Sequence, residues 1–199
     1  PEAEEIFEVA LSQLDPSETA YTAVLSNQAL VFQSLGQLER AEETLHDIKE
    51  IDSIQVGVSH PDYAITLSNL GLVYADQKNY SAAENALRRA LAIQKANDEE
   101  ATLSYARKLN NLAKTLQLAG SAEKSINLLK DALAIFRKTL GKRSPEYATA
   151  AYNLGVLLED LHSLDEAHDV ALRLLDAGWR LEHGRREVDH PVGAAPWTA

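Results

Sequence analysis

The feature that leaves this chain the fewest folds is a repeat of 42 residues. Tyr21, Tyr63, Tyr105 and Tyr147 stand one period apart, and so do Asn27, Asn69, Asn111 and Asn153. Apolar positions keep the same time, as in Leu45, Leu87 and Leu129, or Leu30, Leu72 and Val156. Small positions follow suit in Ala29, Gly71, Ala113 and Gly155, and again in Ala41, Ala83, Ser125 and Ala167. A unit that recurs in one register cannot bury its apolar face alone, so copies must stack on copies.

The most regular copy, His60 to Lys95, shows what the unit is made of. Leu67, Leu70 and Tyr74 fall at i, i+3, i+7 on a first helix, and Ala83, Leu87 and Ala90 stripe a second. The polar run Gln77 to Asn79 is short enough to make the two helices antiparallel. L-x-x-L-G-x-x-Y followed by A-x3-L-x2-A resembles the tetratricopeptide pattern with Leu in place of Trp and Phe. HEAT and armadillo units have a comparable length, but the small residues here sit where tetratricopeptide helices cross. The expected fold class is all-α, a right-handed superhelical solenoid of antiparallel helix pairs.

A single solenoid is expected over residues 1–184, with repeats at about 15–56, 57–98, 99–140 and 141–184. Residues 1–14, with Ala3, Phe7 and Ala10, read as the second helix of a partial repeat, and residues 185–199 as a tail or cap. Trp179 and Leu181 are placed near the end of the last helix, and Trp197 is a candidate to cover the open end. Gly57 and Pro61, like Gly141 and Pro145, break the chain between repeats. The junction Asn97 to Thr102 has no Pro, so the start of its helix is the least marked.

Composition removes several functions. A formal net charge of -11 argues against nucleic acid as the partner, because such binding needs an electropositive footprint. The pairs Arg88-Arg89 and Arg185-Arg186 are too short to supply one. With no Cys there is no thiolate metal site or cysteine nucleophile, and no apolar run is long enough for a membrane span. His162, Asp165, Glu166 and His168 cluster without a recognised ligand spacing. Neither a phosphate loop nor a G-x-S-x-G elbow is present. No enzyme activity, metal or cofactor is expected, and the setting is intracellular, either cytoplasmic or, because the N-terminus lacks Met and suggests processing or truncation, organellar.

Residues 15 to about 183 resemble the tetratricopeptide repeats of kinesin light chains and their relatives. The resemblance is carried by HPDYA at 60–64, SPEYA at 144–148, SNLGLVY, NNLAKTL and the junction LGKRSPEYA. It implies a concave groove lined by first helices and a protein or peptide partner held there. Departures fall at the edges, with Phe32 in Tyr74's place and Leu157 and Leu158 near that place in the last repeat.

The groove positions expected from this resemblance include Asn27, Ser68, Asn69 and Leu72, then Arg107, Asn110, Asn111 and Lys114, then Tyr152 and Asn153. An Asn amide both donates and accepts, which suits holding an extended peptide backbone. The alternative is that each Asn bonds the neighbouring repeat. Arg107 and Lys114 form a local cationic stripe suited to an acidic segment, or else pair with Glu159 and Asp160 across the repeat boundary. The reading is an adaptor or scaffold. The competing one is an assembly factor that self-associates as a homo-oligomer through Trp179, Leu181 and the tail.

Overall fold

The computed structural model describes residues 2–16, 19–97, 99–176, 180–181 and 188–189. The helices in order are α1 (Glu2–Ser12), α2 (Thr19–Ser34), α3 (Leu38–Gln55), α4 (Pro61–Asp76), α5 (Tyr80–Ala96), α6 (Leu103–Leu118), α7 (Ala122–Thr139), α8 (Pro145–Asp160) and α9 (Leu164–Asp176). The chain divides into two compact units, Pro1–Asp98 and Glu99–Ala199, and the division falls at the junction that lacks Pro. In the first unit α2 pairs with α3 and α4 with α5, while α3 also packs on α4; in the second, α6 pairs with α7, α7 packs on α8, and α8 pairs with α9.

Local chemistry starts α4, α6 and α8 at the expected places. Pro61 and Pro145 occupy the first turns of α4 and α8. The His60 side chain accepts from the Asp62 N–H at 3.2 Å, and the Ser144 hydroxyl from the Tyr147 N–H at 3.3 Å. At the junction without Pro, the Thr102 hydroxyl accepts from the Tyr105 N–H at 3.1 Å, so α6 is capped as firmly as its neighbours. The turns inside the pairs share a left-handed residue, one period apart: Gly36 (φ 72), Lys78 (φ 62), Gly120 (φ 76) and His162 (φ 57). Two of the four therefore hold the left-handed conformation with a side chain attached, at some cost in strain.

The apolar stripes become the cores. Leu25, Ala29, Phe32, Leu45, Ile48, Leu70 and Val73 form one cluster in the first unit, with Tyr63, Leu67, Ala90 and Ile93 in a second. In the second unit Leu112, Leu116, Leu129, Phe136, Leu157 and Leu158 are buried. Leu45, Leu87 and Leu129, which share one register position, are all buried. Leu30, Leu72 and Val156, which share another, are not: Leu30 is exposed and the other two half-buried, because this stripe faces away from the paired helix.

The sequence places Leu181 near the end of the last helix, and here the structure differs. Helix α9 ends at Asp176, and Leu181 belongs to a short antiparallel pair, β1 (Arg180–Leu181) with β2 (Val188–Asp189). Strand β1 contacts α9 and β2 contacts α8, so these residues double back onto the last helix pair. Trp179, Trp197 and the expected cap lie outside the described residues.

One buried polar link ties the first repeat to the second. Asp52, in the last turn of α3, accepts a 2.6 Å hydrogen bond from the Thr66 hydroxyl of α4, and both residues are buried. Burial pushes the Asp52 carboxyl above its usual range; the Thr66 bond opposes this, Asp62 adds to it and His60 opposes it. Folding thus favours the protonated form, so Asp52 contributes most below its unfolded-state range, near about pH 4, and less as pH rises through the raised folded value. Asp52→Asn keeps an acceptor for Thr66 without the charge. Its melting temperature relative to wild type is expected to rise between acid and neutral pH, and a difference that stays flat would contradict this reading. Leu87, fully buried beneath Gly71, sets the core register: Leu87→Ala is expected to lower stability by about 2–5 kcal/mol in urea titrations.

Candidate functional site

The first helices present one register to solvent: Ala23, Asn27 and Leu30 on α2, Ile65, Asn69 and Leu72 on α4, Arg107, Asn111 and Lys114 on α6, and Thr149, Asn153 and Val156 on α8. Its chemistry changes between the units. In the first, Leu30 and Ile65 are each 47% exposed beside Asn27 and Asn69. In the second, α6 sets Arg107 and Lys114, both exposed, on either side of Asn111.

Most of the Asn ladder has open hydrogen-bonding capacity. The side chains of Asn27, Asn69 and Asn111 make no hydrogen bond among the described residues. Asn153 differs, donating through Nδ2 to Asn110 Oδ1 at 3.5 Å across the repeat boundary. Three members of the ladder thus stay open, while the fourth meets the neighbouring first helix. Ser68 is buried in α4 and presents no surface, because α4 is enclosed by α3 on one side and α5 on the other. Leu72 and Tyr152 are half-buried.

Between α6 and α8 lies a pocket of ≈ 120 Å³ lined by Arg107, Asn110, Asn111, Phe136, Glu146 and Thr149. Arg107 Nη2 donates to Glu146 Oε1 at 2.8 Å. This is not the pairing with Glu159 or Asp160 weighed from the sequence. Glu146 begins α8 where those acids end it, about 20 Å further along at 1.5 Å per residue. Partial burial pushes the Glu146 carboxyl up, but the Arg107 hydrogen bond, a backbone hydrogen bond and the Arg107 charge together leave it below the usual range. Lys114 makes no ion pair or hydrogen bond among the described residues.

Glu146, Thr149 and Phe136 escaped sequence reasoning. Contacts between neighbouring first helices run at separations of 43 (Gln33 with Asp76, Asn110 with Asn153) and 39 (Arg107 with Glu146), one residue beyond the period or three short of it. An acid sought at those offsets from Arg107 would have been found. Lys108 was also missed: buried on another side of α6, it donates to Ser104 Oγ at 2.9 Å. Burial lowers its pKa, against an opposing pull from Glu99. Among the described residues no group of His, Asp and Glu could hold a metal, and no helix is long and apolar enough to cross a membrane. Glu166, from the cluster noted in the sequence, pairs with Lys130 at 3.0 Å instead.

Fold and exposed stripes together define a helical-repeat protein in which each first helix leaves one stripe in solvent. The tetratricopeptide-repeat profile matches residues 20–96 and 104–177, and the chain belongs to that family. Solved structures of the same all-α solenoid include a kinesin-light-chain-like protein of nearly identical TPR-like repeats from Podosopora anserina (19% identity, 88% of this chain and 82% of that one, TM-score 0.71). BtubC (BKLC) from P. vanneervenii aligns over 100% of this chain and 80% of its own at 19% identity and TM-score 0.79. Aspartyl phosphate phosphatase F from Bacillus subtilis aligns over 87% of this chain and 45% of its own at 16% identity and TM-score 0.74. These likenesses establish the fold. The curated proteins contain no match to the sequence.

Removing the guanidinium should release Glu146. In Arg107→Ala, NMR titration of side-chain carboxyls is expected to show a higher Glu146 pKa than in wild type, and an unchanged value would mean that Arg107 does not hold it in solution.

Proposed function

We propose that the chain is a protein–protein interaction module that holds an extended, acidic segment of a partner along its first-helix face. The observation carrying this is the α6 stripe, in which an Asn111 side chain with no internal partner stands between two exposed cations, in a chain of net charge -11. An extended peptide has unpaired backbone N–H and C=O groups, and Asn meets both. A carboxylate on that peptide gains a charge-assisted hydrogen bond from Lys114 or from the donors of Arg107 that Glu146 leaves open. Arg107 is held in place by Glu146, so less side-chain freedom is lost on binding. The tetratricopeptide fold supports the same reading, as typically a non-catalytic interaction scaffold.

Fluorescein-labelled decaglutamate is a suitable probe of the acidic, extended class. Arg107→Ala, Lys114→Ala and Asn111→Ala are each expected to weaken its binding by about 1–2 kcal/mol in anisotropy titrations, with circular dichroism unchanged. Binding that none of the three alters would place the peptide site elsewhere.

A further inference from the structure

On the other side of α8 from Thr149 and Asn153, a cleft of ≈ 290 Å³ opens between α7 and α9. Its floor is apolar and buried, made by Ala151, Leu154 and Leu158 of α8. Leu133 and Val170, both half-buried, form the walls.

The cleft accompanies three departures from the earlier repeats, each two periods along the chain. There Tyr74 reaches from α4 to α3, its hydroxyl 3.1 Å from His46 Nε2. Two periods on, Tyr74 is replaced by Leu158 and His46 by Lys130, which turns to Glu166 on α9 instead. Leu87, which packs so tightly under Gly71 that a Cβ there would stand 2.7 Å from its Cγ, becomes Ala171. Among the described residues a Cβ on Gly155 would meet only Val170 Cγ1, at 3.7 Å. Smaller side chains at both positions leave the last pair less filled than the second.

The rim is charged. Lys130 pairs with Glu166 across the mouth, and Arg173 with Asp169 at 2.5 Å along α9. Arg137, exposed on α7, makes no ion pair or hydrogen bond among the described residues. An unmatched guanidinium beside an apolar floor asks for a carboxylate next to an apolar group. The volume lies at the lower edge of the roughly 300–1,000 Å³ of small-molecule sites, which favours one or two side chains over a cofactor.

We infer that the α7–α8–α9 cleft is a second docking site, distinct from the first-helix face, which takes a bulky apolar side chain flanked by a carboxylate from a protein partner. The apolar group displaces water from Leu154 and Leu158, and the carboxylate pairs with Arg137.

The test uses the whole, ¹⁵N-labelled chain titrated with the peptide acetyl-Gly-Glu-Phe-Glu-Gly-amide at millimolar concentration. Saturable amide shifts are expected on α7, α8 and α9 around the cleft. Replacing both Glu by Gln, or Phe by Ala, in the peptide should weaken binding by about fivefold or more. Arg137→Gln should do the same, and Leu158→Tyr, which restores the bulk found at Tyr74, should abolish the shifts. Decaglutamate binding to the first-helix face should be unaffected by either substitution, so the two sites fail or succeed separately. The inference is overturned if no saturable shift appears, if shifts fall on the Arg107 and Asn111 face, if the Gln peptide binds equally well, or if Arg137→Gln binds as wild type. Should Leu158→Tyr fail to fold, Arg137→Gln and the peptide pair decide.

Discussion

The structure depends on how closely two helices of a pair can approach. Gly71 and Leu87 mark one such close contact, where a single added carbon would stand 2.7 Å from Leu87 Cγ, well inside the contact distance of two carbons. At the corresponding crossing in the third repeat, Ala113 takes the glycine's place and Ser125 stands where Ala83 stood. The Ser125 hydroxyl, fully buried, donates to the Ala113 carbonyl at 2.9 Å, so a polar group is accepted there because the backbone lies within its reach. Close crossings leave each first helix with one face on its partner, one toward the neighbouring pair and a remaining stripe in solvent. That stripe is where Asn27, Asn69, Arg107 and Lys114 appear.

A repeated backbone therefore carries an unrepeated surface. Positions that touch the paired helix are held to a few small or branched apolar residues by packing, whereas the solvent stripe is free to vary. Ile65 becomes Arg107 and then Thr149 along the array, and Leu72 becomes Lys114 and then Val156, while the core partners of each change little. The Asn of the same stripe is constant, yet its surroundings are not: Asn111 is left open, and Asn153 is drawn into a contact with Asn110. Constancy in the sequence thus reports a shared position rather than a shared role.

This accounts for what could be read in advance. The helix pairs, their register and the antiparallel turns follow from a 42-residue period and i, i+3, i+7 stripes, because burial within a pair is local and periodic. Thr102 as the cap of α6 was also within reach, since a hydroxyl before an apolar helical run is a start signal whether or not Pro follows. Glu146 as the partner of Arg107 was less accessible. Neighbouring first helices are offset by a small number of residues that no single copy of the repeat contains, and only a contact in three dimensions reveals it. Ser68 failed as a surface residue for a related reason: its exposure is decided by α3 and α5 together, not by its own helix.

The last helix pair carries this logic furthest. In the second repeat Tyr74 does two jobs, filling the space toward α3 and meeting a polar group there at His46. Replacing it by Leu158 removes both, and the Lys130 that stands for His46 has nothing to bond on α8, so it crosses to Glu166. The void and the ion pair thus stand together: Leu158 leaves the space that Tyr74 fills in the second repeat, and Lys130 reaches Glu166 across its mouth. The fold tolerates them because α7 and α9 each remain packed on α8. In a stacked array, loss of packing in one pair is confined to that pair and its neighbours, and this is the condition under which a repeat can give up some of its core to become a receptor.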